Sequence, residues 1–287
     1  MILALDIGGT KLAAALWDGA KLLERRETAT PSEDRSPEGV TRVALELLRD
    51  VAARGLKTEA IGVATTGSVA DGKVTALNAD TLKGWNAFDL CATLETEMKL
   101  PTVVLNDADA AAWGEFAFGA GRGTRDFAFV TVSTGVGGGI VLNERLHTTT
   151  HGLHAELGYT LTASGQPLEL VASGSALDRW ARTQGWTDAR EIVRRSLEGE
   201  SSAIAKLTES AGLIAHSLAN LYVTLGVTRV AVGGGLGLSA GYLERVRAEL
   251  VKLGEPWQAL EVVRAELGVD AGLIGAADWA SRATRAG

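Results

Sequence analysis

The sequence is poor in cysteine and proline. A single cysteine, Cys91, among 287 residues excludes an internal disulfide and any zinc site built from several cysteines, and it fits a reducing compartment such as the cytoplasm. The chain has only five prolines, and none lies between residues 173 and 225, where apolar residues recur at helical spacing. That region is therefore predicted to form long helices.

Clustered positive charge and long apolar runs are also missing. The net charge is −7, and no basic stripe is present, which argues against a nucleic-acid partner. Residues 1–17 are interrupted by Asp6 and Lys11 and have no basic leader, so we expect neither a signal peptide nor a membrane partner. A hydrophobic content of 46% and the length instead suit a globular chain of one large or two smaller domains.

One segment stands out as a candidate site. Residues 102–105 form a short apolar run typical of a buried strand, and a helical pattern begins near Ala110, which places Asn106 and Asp107 at the end of the strand. In open α/β sheets ligands bind at that edge. Either residue could equally cap the following helix, and the segment alone leaves both interpretations open.

Glycine-rich turns follow apolar strands at three places in the chain. They contain Gly8 and Gly9, residues 135–139, and residues 233–235. Without side chains, their backbone amides can approach an anion. One such turn is ordinary, and none has the P-loop or dinucleotide spacing, but three together indicate binding of the phosphates of a nucleotide.

The first two glycine turns share a strand, turn, strand design. When the two motifs are aligned with Asp6 opposite Ser133, Gly8 aligns with Gly135. This repeat suggests two related domains that face each other across a cleft. A glycine-rich joint at residues 119–123 marks the boundary. We therefore predict a smaller N-terminal domain, residues 1–118, and a larger domain, residues 119–269, followed by a C-terminal helix at 270–287.

Four motifs, at residues 5–11, 106–108, 133–139 and 233–235, resemble those of the ROK family of sugar kinases and repressors. The resemblance runs over nearly the whole chain. It implies an α/β, two-domain actin/hexokinase-like ATPase fold, with ribonuclease H-like duplicated domains and an interdomain cleft. It also implies that the C-terminal helix at 270–287 returns to the first domain. Within the family, the chain is most similar to bacterial N-acetylmannosamine kinases.

The resemblance implies transfer of a phosphoryl group from ATP to the 6-hydroxyl of N-acetylmannosamine, with Asp107 as the general base. Asn78, Asn106, Asp107, Glu156 and Glu169 are implied to bind the sugar. The implied nucleotide contacts are Asp6, Gly8, Gly9, Thr10, Lys11, Thr134, Gly135, Gly137, Gly138, Gly234 and Gly235. Asp6 would help to place Mg²⁺ through a water molecule. A homodimer is expected from the resemblance alone.

The chain departs from the family at its zinc site. Most members have a histidine and then a cysteine-rich loop, whereas here the histidine position is Tyr159 and residues 160–167 contain no cysteine. The upstream histidines, His147, His151 and His154, are not a structural zinc set without cysteine. We predict no zinc, with Tyr159 and a shortened loop packing in its place.

Three other functions are weighed against this one. A glucokinase or N-acetylglucosamine kinase would share the mechanism and differ only in its pocket. A sugar-sensing repressor needs a DNA-binding domain, for which a first strand beginning at Ile2 is expected to leave no room, and the net charge of −7 points the same way. A non-catalytic sugar-binding protein is less consistent with Asp107 together with every glycine turn.

Overall fold

The computed structural model describes residues 1–77 and 82–286, so Asn78 lies outside the described residues. The chain forms two compact units of nearly equal length. The first unit comprises Met1–Ala117, Thr148–His154 and the chain from Val269 onward, and the second comprises Phe118–His147 and Ala155–Gly268. The segment Thr148–His154, which the sequence analysis assigned to the second domain, belongs to the first unit. The domain assignment itself stays a prediction.

The first unit is built on a five-stranded mixed sheet. Its strands are β1 (Ile2–Ile7), β2 (Lys11–Trp17), β3 (Leu22–Ala29), β4 (Ala60–Thr65) and β8 (Thr102–Asn106), in the order β3-β2-β1-β4-β8. The first three strands are antiparallel, and β1, β4 and β8 run parallel. A small sheet is made of β5 (Ser68–Ala70), β6 (Lys73–Thr75) and β7 (Phe88–Asp89).

Four helices accompany the first sheet. They are α1 (Pro37–Ala52), α2 (Leu90–Met98), α3 (Asp107–Phe118) and α9 (Ala271–Ala286). Helix α1 begins at Pro37, because the Ser36 hydroxyl accepts the Gly39 amide and proline suits the first turn of a helix. Helix α2 begins at Leu90, because the Asp89 side chain caps it by accepting the Ala92 amide.

The second unit repeats the sheet. Its strands are β9 (Phe127–Val132), β10 (Val136–Leu142), β11 (Arg145–Leu146), β12 (Arg229–Gly233) and β13 (Glu261–Arg264), in the order β11-β10-β9-β12-β13. Its helices are α4 (Leu168–Ala172), α5 (Gly174–Thr183), α6 (Ala189–Leu197), α7 (Ser201–Leu225) and α8 (Tyr242–Leu253). Within the described part of the chain, no helix combines the length and apolar character that a membrane span requires.

The two sheets confirm the duplication but correct its alignment. Ile7 and Val132 end the first strand of each sheet, and both strands show the same burial pattern, in which only the penultimate residue is half-buried. Asp6 therefore corresponds to Thr131 and not to Ser133, and Gly8 corresponds to Ser133. The sequence alignment was wrong because it matched glycines, whereas strand ends and hydrogen-bond register decide the equivalence.

Helix α9 packs against the first unit through close backbone contacts. A Cβ atom on Gly62 of β4 would overlap the Ala276 carbonyl, and one on Gly275 would overlap the Ala110 carbonyl of α3. The indole of Trp113 donates to Asp278 at 2.9 Å, which adds a polar link between α3 and α9. Glycine is therefore required where these elements meet, because no side chain fits between the two backbones.

This contact predicts that Gly275→Ala lowers the free energy of unfolding by about 1–3 kcal/mol, as expected for overpacking. Gly272→Ala is the control in the same helix, because its new methyl group would meet only ordinary contacts at 3.5 Å or more. The control is expected to be neutral or stabilising by up to about 1 kcal/mol through helix propensity. Urea denaturation measures both, and equal stabilities of the two variants would contradict the packing.

Candidate active site

Asn106 and Asp107 lie where β8 passes into α3, as the sequence predicts. The Oδ1 atom of Asn106 accepts the amides of Ala108 at 2.9 Å and Asp109 at 3.3 Å, and its Nδ2 donates to the Gly67 carbonyl at 2.9 Å. The helix-cap interpretation is therefore correct for Asn106. One amide hydrogen of Nδ2 remains for a ligand.

Asp107 is only partly used by its own helix. Its Oδ1 atom accepts the Ala108 amide at 2.8 Å, and no residue in 1–77 or 82–286 donates to its Oδ2 atom. The side chain is half-buried at the carboxyl end of the parallel strands. One carboxylate oxygen is thus available to a substrate proton.

Two carboxyl groups of the first unit have raised pKa values. Burial and then the charge of Asp107 raise the pKa of Asp6 to about 7, against the opposing effect of Lys11. Burial raises the pKa of Asp107 to about 6, and the charge of Asp109 adds to the effect. A base of this pKa is mostly ionised at neutral pH and can still accept a proton.

This pair of acidic groups fits a divalent cation. Mg²⁺ binds through one or two carboxylates together with substrate phosphates. Its charge would offset both causes of the raised pKa of Asp6, first the burial of the carboxylate and then the repulsion by Asp107. Asp6 lies at the end of β1, next to β4, whose other neighbour β8 leads to Asp107. The chemistry of the donors therefore agrees with the predicted magnesium role of Asp6.

The first glycine turn joins β1 to β2. The Gly8 amide donates to the Lys11 carbonyl at 3.0 Å, so it is used within the turn. The carbonyls of Gly8 and Gly9 accept the Thr30 hydroxyl at 2.7 Å and the Arg35 guanidinium at 3.0 Å. The amide of Gly9 therefore remains available to a phosphate within a turn that is held in one conformation.

The predicted phosphate ligand Lys11 is exposed and has an acidic neighbour. Its ammonium group lies 3.4 Å from a carboxylate oxygen of Glu27, and half of its side chain is accessible to solvent. Such a surface pair is weak. Lys11 can therefore exchange Glu27 for a phosphate without a large loss of stability.

In the second glycine-rich motif, the turn between β9 and β10 consists of residues 133–135, and Glu169 holds it. The Val136 amide donates to the Glu169 carboxylate at 2.9 Å, and a Cβ atom on Gly135 would overlap that carboxylate. The turn carbonyls of Ser133 and Thr134 accept amides at the start of α5. Glu169 thus supports the turn as well as being a predicted sugar contact.

Gly137 and Gly138 lie inside β10 rather than in the turn. They pair with Thr131 and Val130 of β9, and a Cβ atom on Gly138 would lie 3.0 Å from Cγ of Leu157. Close packing accounts for the glycine at 138. Their contact with the nucleotide stays a prediction.

The third glycine turn adjoins the end of β9. A Cβ atom on Gly234, which has φ of +83°, would lie 2.6 Å from the Thr131 hydroxyl. Gly235 faces open space, with nothing within 4 Å of an added Cβ. Thr131 carried no signal in the sequence, and its equivalence to Asp6 appears only once the strand ends are aligned.

Glu156 and Glu169 lie near the Tyr159 phenol. Burial, then the charges of these two glutamates, raises the pKa of Tyr159. Tyr159 is 54% exposed, so the prediction that it packs into the space of a metal site is wrong. The ring is exposed because the following segment closes by its own hydrogen bonds, including Leu168 N to Thr160 O at 2.9 Å.

Two of the three histidines predicted not to bind zinc have other side-chain partners. The Nδ1 atom of His151 accepts the Leu153 amide at 3.1 Å, and the Nε2 atom of His154 contacts the carboxylate of Asp109. Within residues 1–77 and 82–286, no three His, Cys, Asp or Glu side chains are grouped to hold a metal ion.

Comparison with known proteins decides the family. A family profile described as ROK family matches residues 2–283. The chain belongs to the ROK family. This confirms the resemblance on which the sequence analysis depends.

Individual ROK relatives agree with that assignment. The chain is 41% identical over 289 residues to the N-acetylmannosamine kinase of Salmonella arizonae, with 96% of each sequence covered. It superposes with a TM-score of 0.88 and 32% identity on the ROK hexokinase from Thermus thermophilus, covering 100% of this chain and 99% of the other. A ROK family glucokinase from Streptomyces griseus, solved with glucose and AMPPNP, superposes with a TM-score of 0.83 and 30% identity, covering 98% of this chain and 99% of the other. The predicted hexokinase-like α/β fold is confirmed.

Proposed function

We propose that the protein is an ATP-dependent sugar kinase that phosphorylates the 6-hydroxyl of N-acetylmannosamine. The observation that carries the proposal is the Asp107 carboxylate, which keeps one oxygen available and has a pKa raised to about 6. The N-acetylmannosamine kinase that is 41% identical supports the choice of sugar.

Asp107 acts as the general base in the proposed reaction. Its Oδ2 atom accepts the proton of the sugar hydroxyl while the sugar oxygen forms a bond to the γ-phosphorus. The bond from that phosphorus to the bridging oxygen of ATP breaks, and ADP leaves. Because this transfer depends mainly on positioning and charge neutralisation, one well-placed carboxylate that accepts the hydroxyl proton is sufficient.

The remaining site residues hold the two substrates. Asp6 would hold Mg²⁺ through a water molecule, and the bound ion supplies charge neutralisation for the phosphates. Asn106, Glu156 and Glu169 are proposed to bind the sugar, and Asn78 stays a prediction from the sequence. The proposed nucleotide contacts are Gly9, Thr10, Lys11, Thr134, Gly135, Gly234 and Gly235, with Gly8, Gly137 and Gly138 as weaker candidates.

A second candidate is another hexose kinase of the family. This candidate is supported by the hexokinase and the glucokinase that superpose on the chain, which are 32% and 30% identical to it. The two functions share Asp107 and the glycine turns, so only the sugar separates them.

A sugar panel tests the proposal. ATP consumption should be greatest with N-acetylmannosamine, by at least about tenfold in kcat/KM over N-acetylglucosamine and glucose, because a mispaired buried polar group costs about 1–3 kcal/mol. The product should carry phosphate on O6 by NMR. Preference for glucose would favour the second candidate, and no turnover with any sugar would overturn the kinase assignment.

The variant Asp107→Asn tests the general base. It should lower kcat by about 10²–10⁴-fold while sugar binding, measured by calorimetry, largely survives, because the amide keeps the shape but cannot accept the proton. Asp50→Asn is the matched control, since this exposed carboxylate lies on α1 and its loss should leave kcat unchanged. Near-normal turnover of Asp107→Asn would remove Asp107 from the role.

We also propose that the protein has no structural zinc. The closed hairpin of residues 160–168 and the partners of His151 and His154 support this, since each group already has hydrogen bonds. Because a structural site needs four protein ligands, elemental analysis of purified protein should give less than about 0.1 zinc per chain. One zinc per chain would contradict the proposal.

A homodimer and a cytoplasmic location complete the proposal. The homodimer is supported by the family resemblance alone. The location is supported by the single cysteine, which suits a reducing compartment.

A further inference from the structure

A loop of seven residues, Thr148–His154, packs within the first unit although the chain on both sides of it belongs to the second. The Ser68 hydroxyl donates to the Gly152 carbonyl at 2.9 Å. Gly152 has φ of +76°, and a Cβ atom there would lie 2.6 Å from the Ser68 hydroxyl oxygen. The middle of the loop is thus held tightly against the start of β5.

The end of the loop is held by a buried contact between a histidine and a carboxylate. The Nε2 atom of His154 contacts the Oδ2 atom of Asp109, and the two side chains are only 5% and 2% exposed. The other ring nitrogen of His154 lies 3.4 Å from the Thr149 hydroxyl. A carboxylate as buried as that of Asp109 needs a hydrogen-bonded partner, and the histidine supplies it.

Both anchors of the loop lead to the catalytic segment. Gly67, next to Ser68, accepts the Asn106 amide at 2.9 Å. Asn106 in turn accepts the Asp109 amide at 3.3 Å. The contacts therefore form a closed ring through the start of β5, the junction of β8 with α3, and the loop. Asp107 lies on the chain between two members of this ring, Asn106 at the end of β8 and Asp109 in α3.

We propose that His154 and Asp109 are a positioning pair, which holds Asn106 and Asp107 in the orientation needed to bind the sugar and accept its proton. The inference rests on the proposed kinase function and adds two residues that do not themselves touch the reacting atoms. Among the described residues, only the Ala108 amide donates a hydrogen bond to the Asp107 side chain, so the orientation of Asp107 depends on the turn between β8 and α3, meaning the junction at residues 106–109. The pair fixes that turn from the side of the loop.

A purely structural pair would behave differently. Its loss would lower the melting temperature and reduce the apparent kcat through the fraction of folded enzyme, which lowers kcat/KM for the sugar and for ATP alike and leaves both KM values unchanged. A positioning pair acts on the sugar and the proton transfer, whereas the nucleotide contacts in the glycine turns are separate residues. The distinguishing measurement is therefore the KM for the sugar relative to the KM for ATP, with kcat expressed per folded enzyme.

The variants His154→Gln and His154→Asn form a matched test. The amide nitrogen of glutamine can occupy the position of Nε2, whereas that of asparagine corresponds to Nδ1 and falls short of Asp109. At 25 °C we expect His154→Asn to lower kcat/KM for N-acetylmannosamine by about tenfold or more, since small misplacements of reacting groups cost this much. His154→Gln should stay within about threefold of wild type, and both should keep KM for ATP within about twofold.

Two further variants complete the experiment. His147→Asn changes an exposed histidine near the same loop and should leave every constant unchanged. Ser68→Ala removes only the hydroxyl of the other anchor, and it should raise KM for the sugar by about threefold or more at unchanged KM for ATP. This variant keeps the proposal testable even where the His154 variants do not fold.

The outcomes separate the two proposals. Wild-type protein that transfers no phosphoryl group to any sugar would overturn the proposed function and, with it, the positioning role. An active wild type with His154→Asn equal to His154→Gln, or with sugar and ATP constants reduced alike, would overturn the positioning role alone. If the His154 variants do not fold, an unchanged sugar KM in Ser68→Ala would overturn it.

Discussion

The cost of burying negative charge governs the first unit. Asp6 and Asp107 come to the same edge of one sheet, and burial raises the pKa of both carboxyl groups. Such an arrangement is costly in the free protein and becomes favourable when a cation and a substrate proton are supplied. Groups whose pKa values are displaced in this way are typical of functional sites, and the proposed kinase chemistry uses both displacements.

Close backbone packing of α9 against β4 and α3 supports this edge of the sheet. Gly62, Gly114 and Gly275 remove side chains where α9 crosses β4 and α3, so the backbones approach directly. Arg25 adds a polar contact to Asp270 at 2.7 Å beside the start of α9. Since packed interiors deform little, the strand ends that carry Asp6 and Asp107 are held by the C-terminal helix as well as by the sheet.

The two duplicated sheets carry different side chains at equivalent strand positions. The position of Asp6 in the first sheet is taken by Thr131 in the second, and the two strands share their burial pattern. A carboxylate suits a cation, whereas a hydroxyl next to Gly234 adds no negative charge where phosphates are proposed to bind. The glycine turns differ correspondingly, since Thr30 and Arg35 hold the first and Glu169 holds the second.

The sequence by itself determined the strands that precede Asn106 and the three glycine turns, the family and the place of Asp107, because these depend on local patterns of apolar residues, glycine and turn-forming side chains. It did not determine the true repeat alignment, the exposure of Tyr159 or the partner of His154. Those features depend on strand register and on contacts between residues far apart in the chain, as Asp109 and His154 are. Only the tertiary structure decides such contacts. The local sequence favours each of them only slightly, and the packing of whole helices and strands selects among the alternatives.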